Sequence, residues 1–197
     1  MPQLISDCLC DILEHLENDK TTLFSCLLVN RIWCEIAVRI LWRDGLKYKT
    51  KSYITLISCL PKESIEILHD NEIMISIPSS KSPMFNYATF CKYLSINMIR
   101  YNVRSLIENQ GKTVWKQDLK KRKAHILIHE ILNLFMSKIS SLKFLYLYST
   151  NLFIETLTTY PGAENCLRNL SGFICSSDSD SNFIYQLSQI CNNLLSL

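Results

Sequence analysis

The chain has 197 residues, enough for one large domain or two small ones, and its 48% hydrophobic and 20% charged content is ordinary for a folded protein. A formal net charge of +3 is too weak to indicate a nucleic-acid partner, and four glycines argue against a glycine-rich phosphate loop or an all-β fold dense in turns. No apolar run is long enough for a transmembrane helix, and the first residues lack the pattern of a signal peptide. We therefore expect a cytoplasmic and/or nuclear protein with neither a nucleic-acid nor a membrane partner.

Candidate chemical sites are few. The nine cysteines show no CxxC spacing, so we interpret them as reduced, small hydrophobic residues. His125 and His129 have the i, i+4 spacing of two metal ligands on one helix, but the HExxH order and a third ligand are missing. No nucleophile–base pair, nucleotide loop or carboxylate pair has supporting context. We expect no enzymatic activity, no cofactor and no metal.

Residues 4–44 are predicted to form three short helices. Leu9, Ile12, Leu13 and Leu16 follow the i, i+3, i+4, i+7 pattern of an amphipathic helix. The polar break that follows, Asn18-Asp19-Lys20-Thr21, offers Asp19 or Thr21 as the N-cap of the next helix. Two further apolar sets define the second and third helices: Leu23, Cys26, Leu27 and Asn30, and then Trp33, Ile36, Ala37, Ile40 and Leu41.

Residues 45–123 are less regular, and we interpret them as a helical linker region. Pro61 is predicted to separate one helix that ends near Cys59 from another that ends near His69. Two further helices are predicted, over Tyr87–Tyr93 and Ile96–Ile107. The basic segment 112–123 follows Gly111 and is predicted to be a turn or linker. Its KKRK run (120–123) could be a nuclear localisation signal or a phosphate-binding patch, although short basic runs are usually solvated.

Residues 124–197 contain an apparent repeat. LKFLYLYST begins at Leu142, LRNLSGFIC at Leu167 and LLSL at Leu194, with spacings of 25 and 27 residues. Both spacings fall within the period of leucine-rich repeats, and helix-like stretches lie between the copies. Because a terminal repeat needs a neighbour or a cap, the partial third copy predicts a truncated form of a longer repeat protein. We expect an incomplete solenoid of α/β, leucine-rich-repeat-like character.

The N-terminal pattern resembles the F-box, and LLVNRIW (27–33) with the closing Leu41-Trp42 carries most of the likeness. The family pattern has proline at two helix-entry positions. Here Ile5 stands at the first and Asp19–Thr22 at the second, where a capping side chain can replace proline. The resemblance covers about 40 residues and implies a three-helix unit that packs on the Skp adaptor of a cullin–RING ubiquitin ligase.

The resemblance implies a mainly α protein in which residues 1–44 form the F-box. Its function would be that of a substrate receptor, which binds a Skp-type adaptor, through it a cullin, and a protein substrate of unknown identity. The alternative is a leucine-rich interaction scaffold without ligase association. So small a unit should gain stability from a partner surface. The implied adaptor-binding residues are Leu4, Leu9, Ile12, Leu13, Leu16, Leu23, Leu27, Val29, Trp33, Leu41 and Trp42.

Overall fold

The computed structural model describes residues 6–75, 83–109, 117–148, 157–176, 181–192 and 194. The chain divides into two compact units, Met1–Asp44 and Gly45–Leu197. The first boundary predicted from the sequence, after residue 44, coincides with this division. The second, between residues 123 and 124, falls inside a long helix of the larger unit, so the linker region and the repeat region belong to one body.

The N-terminal unit consists, in its described part, of the three helices α1 (Ser6–Glu14), α2 (Lys20–Cys26) and α3 (Arg31–Leu41). Side-chain caps start two of them. Asp19 Oδ1 accepts a hydrogen bond from the Thr22 amide at 3.1 Å, which confirms the N-cap predicted there. Asn30 Oδ1 accepts from the Trp33 amide at 3.1 Å, so Asn30 begins α3 instead of extending α2. Each cap satisfies an amide that the helix itself leaves unpaired.

A small apolar core holds these helices together. Helices α1 and α2 both pack on α3. The buried residues of this core come from all three helices: Leu9, Leu13, Leu23, Cys26, Ile36, Ala37 and Ile40. At the surface, the Arg43 guanidinium forms two hydrogen bonds with the Glu14 carboxylate and ties the end of α1 to the residues after α3. This contact is partly exposed, so its contribution to stability is modest.

The larger unit is mainly helical in the residues described. Pro61 separates α4 from α5 as predicted, and α6 contains the helix predicted over Ile96–Ile107. Its α-helices are α4 (Thr50–Ile57), α5 (Lys62–Asp70), α6 (Ile96–Asn109), α7 (Gln117–Lys138), α8 (Ala163–Leu167) and α9 (Ser181–Ile190). Short 3₁₀ helices occupy Gly45–Lys47, Tyr87–Phe90 and Leu157–Thr159.

A small parallel sheet joins distant parts of this unit. Its described strands are β1 (Tyr93–Ser95), β2 (Phe144–Leu147) and β3 (Gly172–Cys175), in the spatial order β1-β2-β3. Strand β1 lies in the region predicted to be a helical linker, and the helix predicted near Tyr87–Tyr93 is a 3₁₀ turn followed by this strand. The chain returns to the sheet through α6 and α7 after β1, and through α8 after β2.

Helix α7 is the central helix of the larger unit. It packs against α6, α5 and α8, and most of its second half is buried. It begins at Gln117, so the turn or linker predicted over 112–123 is wrong from that residue onward. Lys123 of the KKRK run is buried, with its side chain 3% exposed, and its Nζ donates to the Glu72 carbonyl oxygen at 2.9 Å. A basic residue expected in solvent is therefore part of the packing between α7 and the end of α5.

Candidate functional site

The N-terminal unit presents large apolar side chains to solvent. The most exposed is Leu28, at 89%, followed by Phe24 and Val29, both at 57%, and Ile12 of α1. Phe24 belongs to α2, and Leu28 and Val29 lie in the turn between α2 and α3. Large apolar side chains that stay exposed on a small unit are typical of a surface that contacts another protein. We call Ile12, Phe24, Leu28 and Val29 the apolar surface of this unit.

The structure places the predicted adaptor-binding residues in three groups. Leu9, Leu13 and Leu23 are fully buried and can affect a partner only through the fold of the unit. Leu16, Leu27, Trp33 and Leu41 are partly buried against that core, and Trp42 is half-buried at the end of α3. Ile12 and Val29 are exposed, whereas Leu4 lies outside the described residues.

Two residues of the apolar surface, Phe24 and Leu28, were missed by the sequence prediction. The prediction selected positions that match the family pattern, and helical periodicity placed the apolar set of α2 at Leu23, Cys26 and Leu27. Phe24 lies about 100° around the helix from Leu23, outside that apolar face. An aromatic residue outside the apolar face of an amphipathic helix is unusual, which is a signal in itself. Leu28 follows the helix, where periodicity carries no information.

Trp33 has a structural role in the N-terminal unit. Its side chain is partly buried against the core, and its backbone amide receives the cap from Asn30. Arg31, two residues earlier, forms an i, i+4 ion pair with Glu35 at 3.0 Å. The VNRIW segment thus contains the start of α3. Its asparagine is the N-cap of the helix, and its tryptophan packs against the core.

The sheet of the larger unit brings three similar segments into register. Phe144 pairs with Tyr93 on one side and with Gly172 on the other. Extending this register by two residues aligns CKYLSI (91–96), LKFLYL (142–147) and LSGFIC (170–175). The inward positions of these segments are occupied by Cys91, Leu94 and Ile96, by Leu142, Leu145 and Leu147, and by Leu170, Phe173 and Cys175.

This register corrects the predicted repeat. Leu142 corresponds to Leu170 and not to Leu167, which lies in α8. The interval that starts at Leu142 is therefore 28 residues and not the predicted 25. The CKYLSI segment went unnoticed because it begins with cysteine and precedes the next strand by 51 residues. The third copy predicted from Leu194 lies almost wholly outside the described residues.

Burial shifts the pKa of several titratable side chains among the described residues. All nine cysteines are free thiols, and burial raises the pKa of Cys166 to about 12 and that of Cys191 to about 11. Such thiols stay protonated at neutral pH and are poor nucleophiles. His129 Nδ1 lies 3.3 Å from Glu130 Oε1, and burial lowers the pKa of His125. Within the described ranges, no group of three or more His, Cys, Asp or Glu residues could hold a metal ion.

Among the described helices, none combines the length and apolar character that crossing a bilayer requires. Comparison with models of protein families, with curated proteins and with solved structures finds no match. Function has to be argued from the two units themselves.

Proposed function

We propose that this protein is a substrate receptor of a Skp–cullin–F-box ubiquitin ligase, working in the cytoplasm and/or nucleus. The N-terminal unit binds a Skp-type adaptor, and through it a cullin, while the larger unit binds a protein substrate. Such a receptor does no chemistry. It holds the substrate near the ubiquitin-loaded enzyme and so raises its effective concentration there.

The exposure of the apolar surface is the observation that carries the proposal. Four large apolar side chains lie in solvent on a unit whose core cluster, among the described residues, contains seven buried side chains. Burying Phe24 and Leu28 against a partner would remove from water much of the apolar area that the unit leaves exposed. A surface of this kind, on three helices with the VNRIW and Leu41-Trp42 pattern, supports adaptor binding.

The larger unit supports the receptor assignment by its strand arrangement. Parallel strands that lie side by side in chain order, each starting with the same inward pattern, are what a stack of strand–helix repeats requires. We infer that 91–96, 142–147 and 170–175 are successive repeat strands of an incomplete leucine-rich-repeat-like solenoid. The helices between the first two strands are longer than an ordinary repeat contains.

Titration with a recombinant Skp-type adaptor tests the proposal directly. We expect Leu28→Ala and Phe24→Ala each to weaken binding by about 2 kcal/mol, or roughly thirtyfold in Kd, if these side chains are central to the interface. Both side chains are exposed, so the variants should keep their fold. Tyr185→Ala is the matched control, because Tyr185 is an aromatic residue of similar exposure on α9 of the other unit.

The same titration separates the proposal from its alternative. Adaptor binding that is tight in the wild type and weakened in Leu28→Ala by this factor supports the ligase role, and co-purification of a cullin with the adaptor completes it. If the folded wild-type protein does not bind the adaptor, the ligase role is contradicted. The alternative, a leucine-rich interaction scaffold whose apolar surface binds another protein, is then supported.

A further inference from the structure

A row of aromatic side chains lies on the face of the sheet opposite the buried leucines. Tyr93, Phe144, Tyr146 and Tyr148 alternate with Leu94, Leu145 and Leu147, and side chains along a strand alternate between its two faces. The rings of Tyr93 and Phe144 stack with centroids 5.5 Å apart, and those of Phe144 and Tyr146 with centroids 6.3 Å apart. We call these four residues the aromatic row.

The neighbouring strand is adapted to this row. Gly172, the partner of Phe144 on β3, lies directly under the Phe144 ring, and a Cβ atom there would come within 2.2 Å of the ring. The Phe144 ring packs between the Tyr93 ring and the backbone of Gly172. Because its position is already restricted, its side chain has little entropy left to lose when a ligand binds. Tyr148, at the end of the row, is 57% exposed, and the other three rings are half-buried.

The row ends beside a cleft that carries positive charge. The Tyr148 amide donates a hydrogen bond to Asn97 Oδ1 at 2.9 Å, and Asn97 is the first residue of a cleft of about 420 Å³. The cleft is lined along one face of α6 by Asn97, Arg100, Tyr101, Arg104, Ser105 and Glu108. The end of the aromatic row therefore lies next to the cleft.

The balance of charge in this region favours an anionic ligand. Burial and the neighbouring charge of Arg104 lower the pKa of Arg100, so the Arg100 guanidinium is partly desolvated and is repelled by Arg104. Arg104 also lines a second cleft with Lys120 and Lys121 of α7. Among the described residues of the two clefts, four side chains are basic and Glu108 is acidic. Asp118 Oδ1 lies 4.0 Å from Lys121 Nζ. Positive charge remains in excess, and an incoming carboxylate would offset it.

We propose that the aromatic row and the arginine cleft bind an acidic peptide segment of a partner protein, with apolar side chains on the row and an Asp or Glu carboxylate between Arg100 and Arg104. The segment lies extended along β2 and continues past Tyr148 onto α6. Its role as the substrate signal rests on the receptor function proposed above. The stacking of Tyr93 on Phe144 turns their ring faces toward each other, so they offer edges to side chains instead of open faces to nucleobases.

Binding of fluorescent peptides to the full chain tests this surface. The probes are short synthetic peptides that alternate Glu with Phe or Leu, matched peptides with Gln in place of Glu, and an oligothymidine. We expect the Glu peptides to bind at least about tenfold more tightly than the Gln peptides, with an affinity that falls as salt is raised. Preference for the oligothymidine would overturn the proposal in favour of a nucleic-acid surface, and equal binding of the Glu and Gln peptides, or none, would also overturn it.

Matched variants locate the binding. Arg100→Gln with Arg104→Gln should abolish the preference for Glu, whereas Tyr148→Ala should weaken both peptide sets to a similar degree. The controls are Arg168→Gln, an exposed arginine directly after α8, and Tyr185→Ala on α9. Retained preference for Glu in the double variant would contradict the assignment of the cleft.

Adaptor binding is measured in the same variants and reports separately. Peptide binding without adaptor binding would remove the ligase role and leave the peptide surface in place. Adaptor binding without peptide binding would remove the peptide surface alone.

Discussion

The two units differ in which side chains depart from the usual rule of apolar core and polar surface. In the N-terminal unit the unusual residues are apolar and exposed, and in the larger unit they are polar and buried. The N-terminal unit has an entirely apolar described core but leaves Phe24 and Leu28 in solvent. In the larger unit the described core also contains polar and charged side chains, among them Lys123 and Glu130, each with a hydrogen-bond partner. A small unit buries a lower fraction of its surface, and one that still exposes apolar side chains is suited to completing its burial on another protein.

The larger unit uses its buried polar groups to fix one helix. Ser64 Oγ of α5 donates to Glu130 Oε2 of α7 at 2.5 Å, and Lys123 of α7 donates to the Glu72 carbonyl oxygen beyond the end of α5. Both contacts join the same two elements, about two helical turns apart along α7. Since an unpaired buried polar group is costly, these contacts fix the axial position of α7 relative to α5.

The largest expected effect comes from substituting alanine for leucine at a buried and at an exposed position of the N-terminal unit. Leu13→Ala empties a fully buried position and should lower the free energy of unfolding by about 2–5 kcal/mol. Leu28→Ala should change it by less than about 0.5 kcal/mol, because the side chain is already in solvent. Chemical denaturation checks both variants. Similar losses at the two positions would mean that Leu28 is part of the core.

The second prediction concerns the sheet. Gly172→Ala should destabilise the larger unit by about 1–3 kcal/mol, because its Cβ atom would displace the Phe144 ring from its stack with Tyr93. Phe144→Ala combined with Gly172→Ala removes the clash and should cost less than the sum of the two single changes. Thermal or denaturant unfolding of all three variants gives the coupling. Strict additivity would show that the ring does not restrict position 172.

The third prediction concerns the buried carboxyl group of α7. Ser64→Ala removes one donor to Glu130 and should lower the free energy of unfolding by about 1–2 kcal/mol. The loss is limited because His129 Nδ1 remains near the other oxygen. Ser188→Ala, an exposed serine of α9 whose hydroxyl donates to a nearby carbonyl oxygen, is the control and should have little effect. Equal effects of the two changes would contradict a special role for the buried contact.

How much the sequence could predict differs between the units for a physical reason. The helices around Leu9, Leu23 and Ile36 follow from local periodicity and from capping by Asp19, which neighbouring residues alone determine. The exposed face of the same unit depends on which side each helix turns toward the others. Hence Phe24 was missed while Leu9 was taken for a contact residue.

The sheet depends on pairing between distant segments, which local patterns do not determine. Leu142 has apolar candidates at both Leu167 and Leu170, and only the pairing of Phe144 with Gly172 decides between them. The burial of Lys123 was equally hidden, because a lysine in a basic run is predicted to be solvated unless its partner, the Glu72 carbonyl, is known. Likewise, the aromatic row follows from alternation along β2, but its link to the cleft requires the contact between Tyr148 and Asn97.

The smallest expected effect is a difference in how the two helix caps of the N-terminal unit contribute to stability at acid pH. Hydrogen bonds from the Thr22 hydroxyl and amide lower the pKa of Asp19 below its ordinary value of 3.8, whereas the amide of Asn30 does not titrate. A carboxyl whose pKa is lower in the folded state stabilises the fold above its unfolded-state pKa, and this contribution is lost as the pH falls through the folded-state pKa.

Asp19→Asn keeps a capping oxygen without a charge, so the variant should show a smaller loss of stability on acidification than the wild type. Asn30→Ala, in contrast, should cost about 1 kcal/mol at neutral and acid pH alike. Denaturant unfolding of the three proteins between neutral pH and about pH 3 measures the difference, since the remaining carboxylates titrate equally in all of them. Parallel profiles for Asp19→Asn and the wild type would show that the cap depends on the oxygen alone and that its charge contributes nothing to the N-terminal unit.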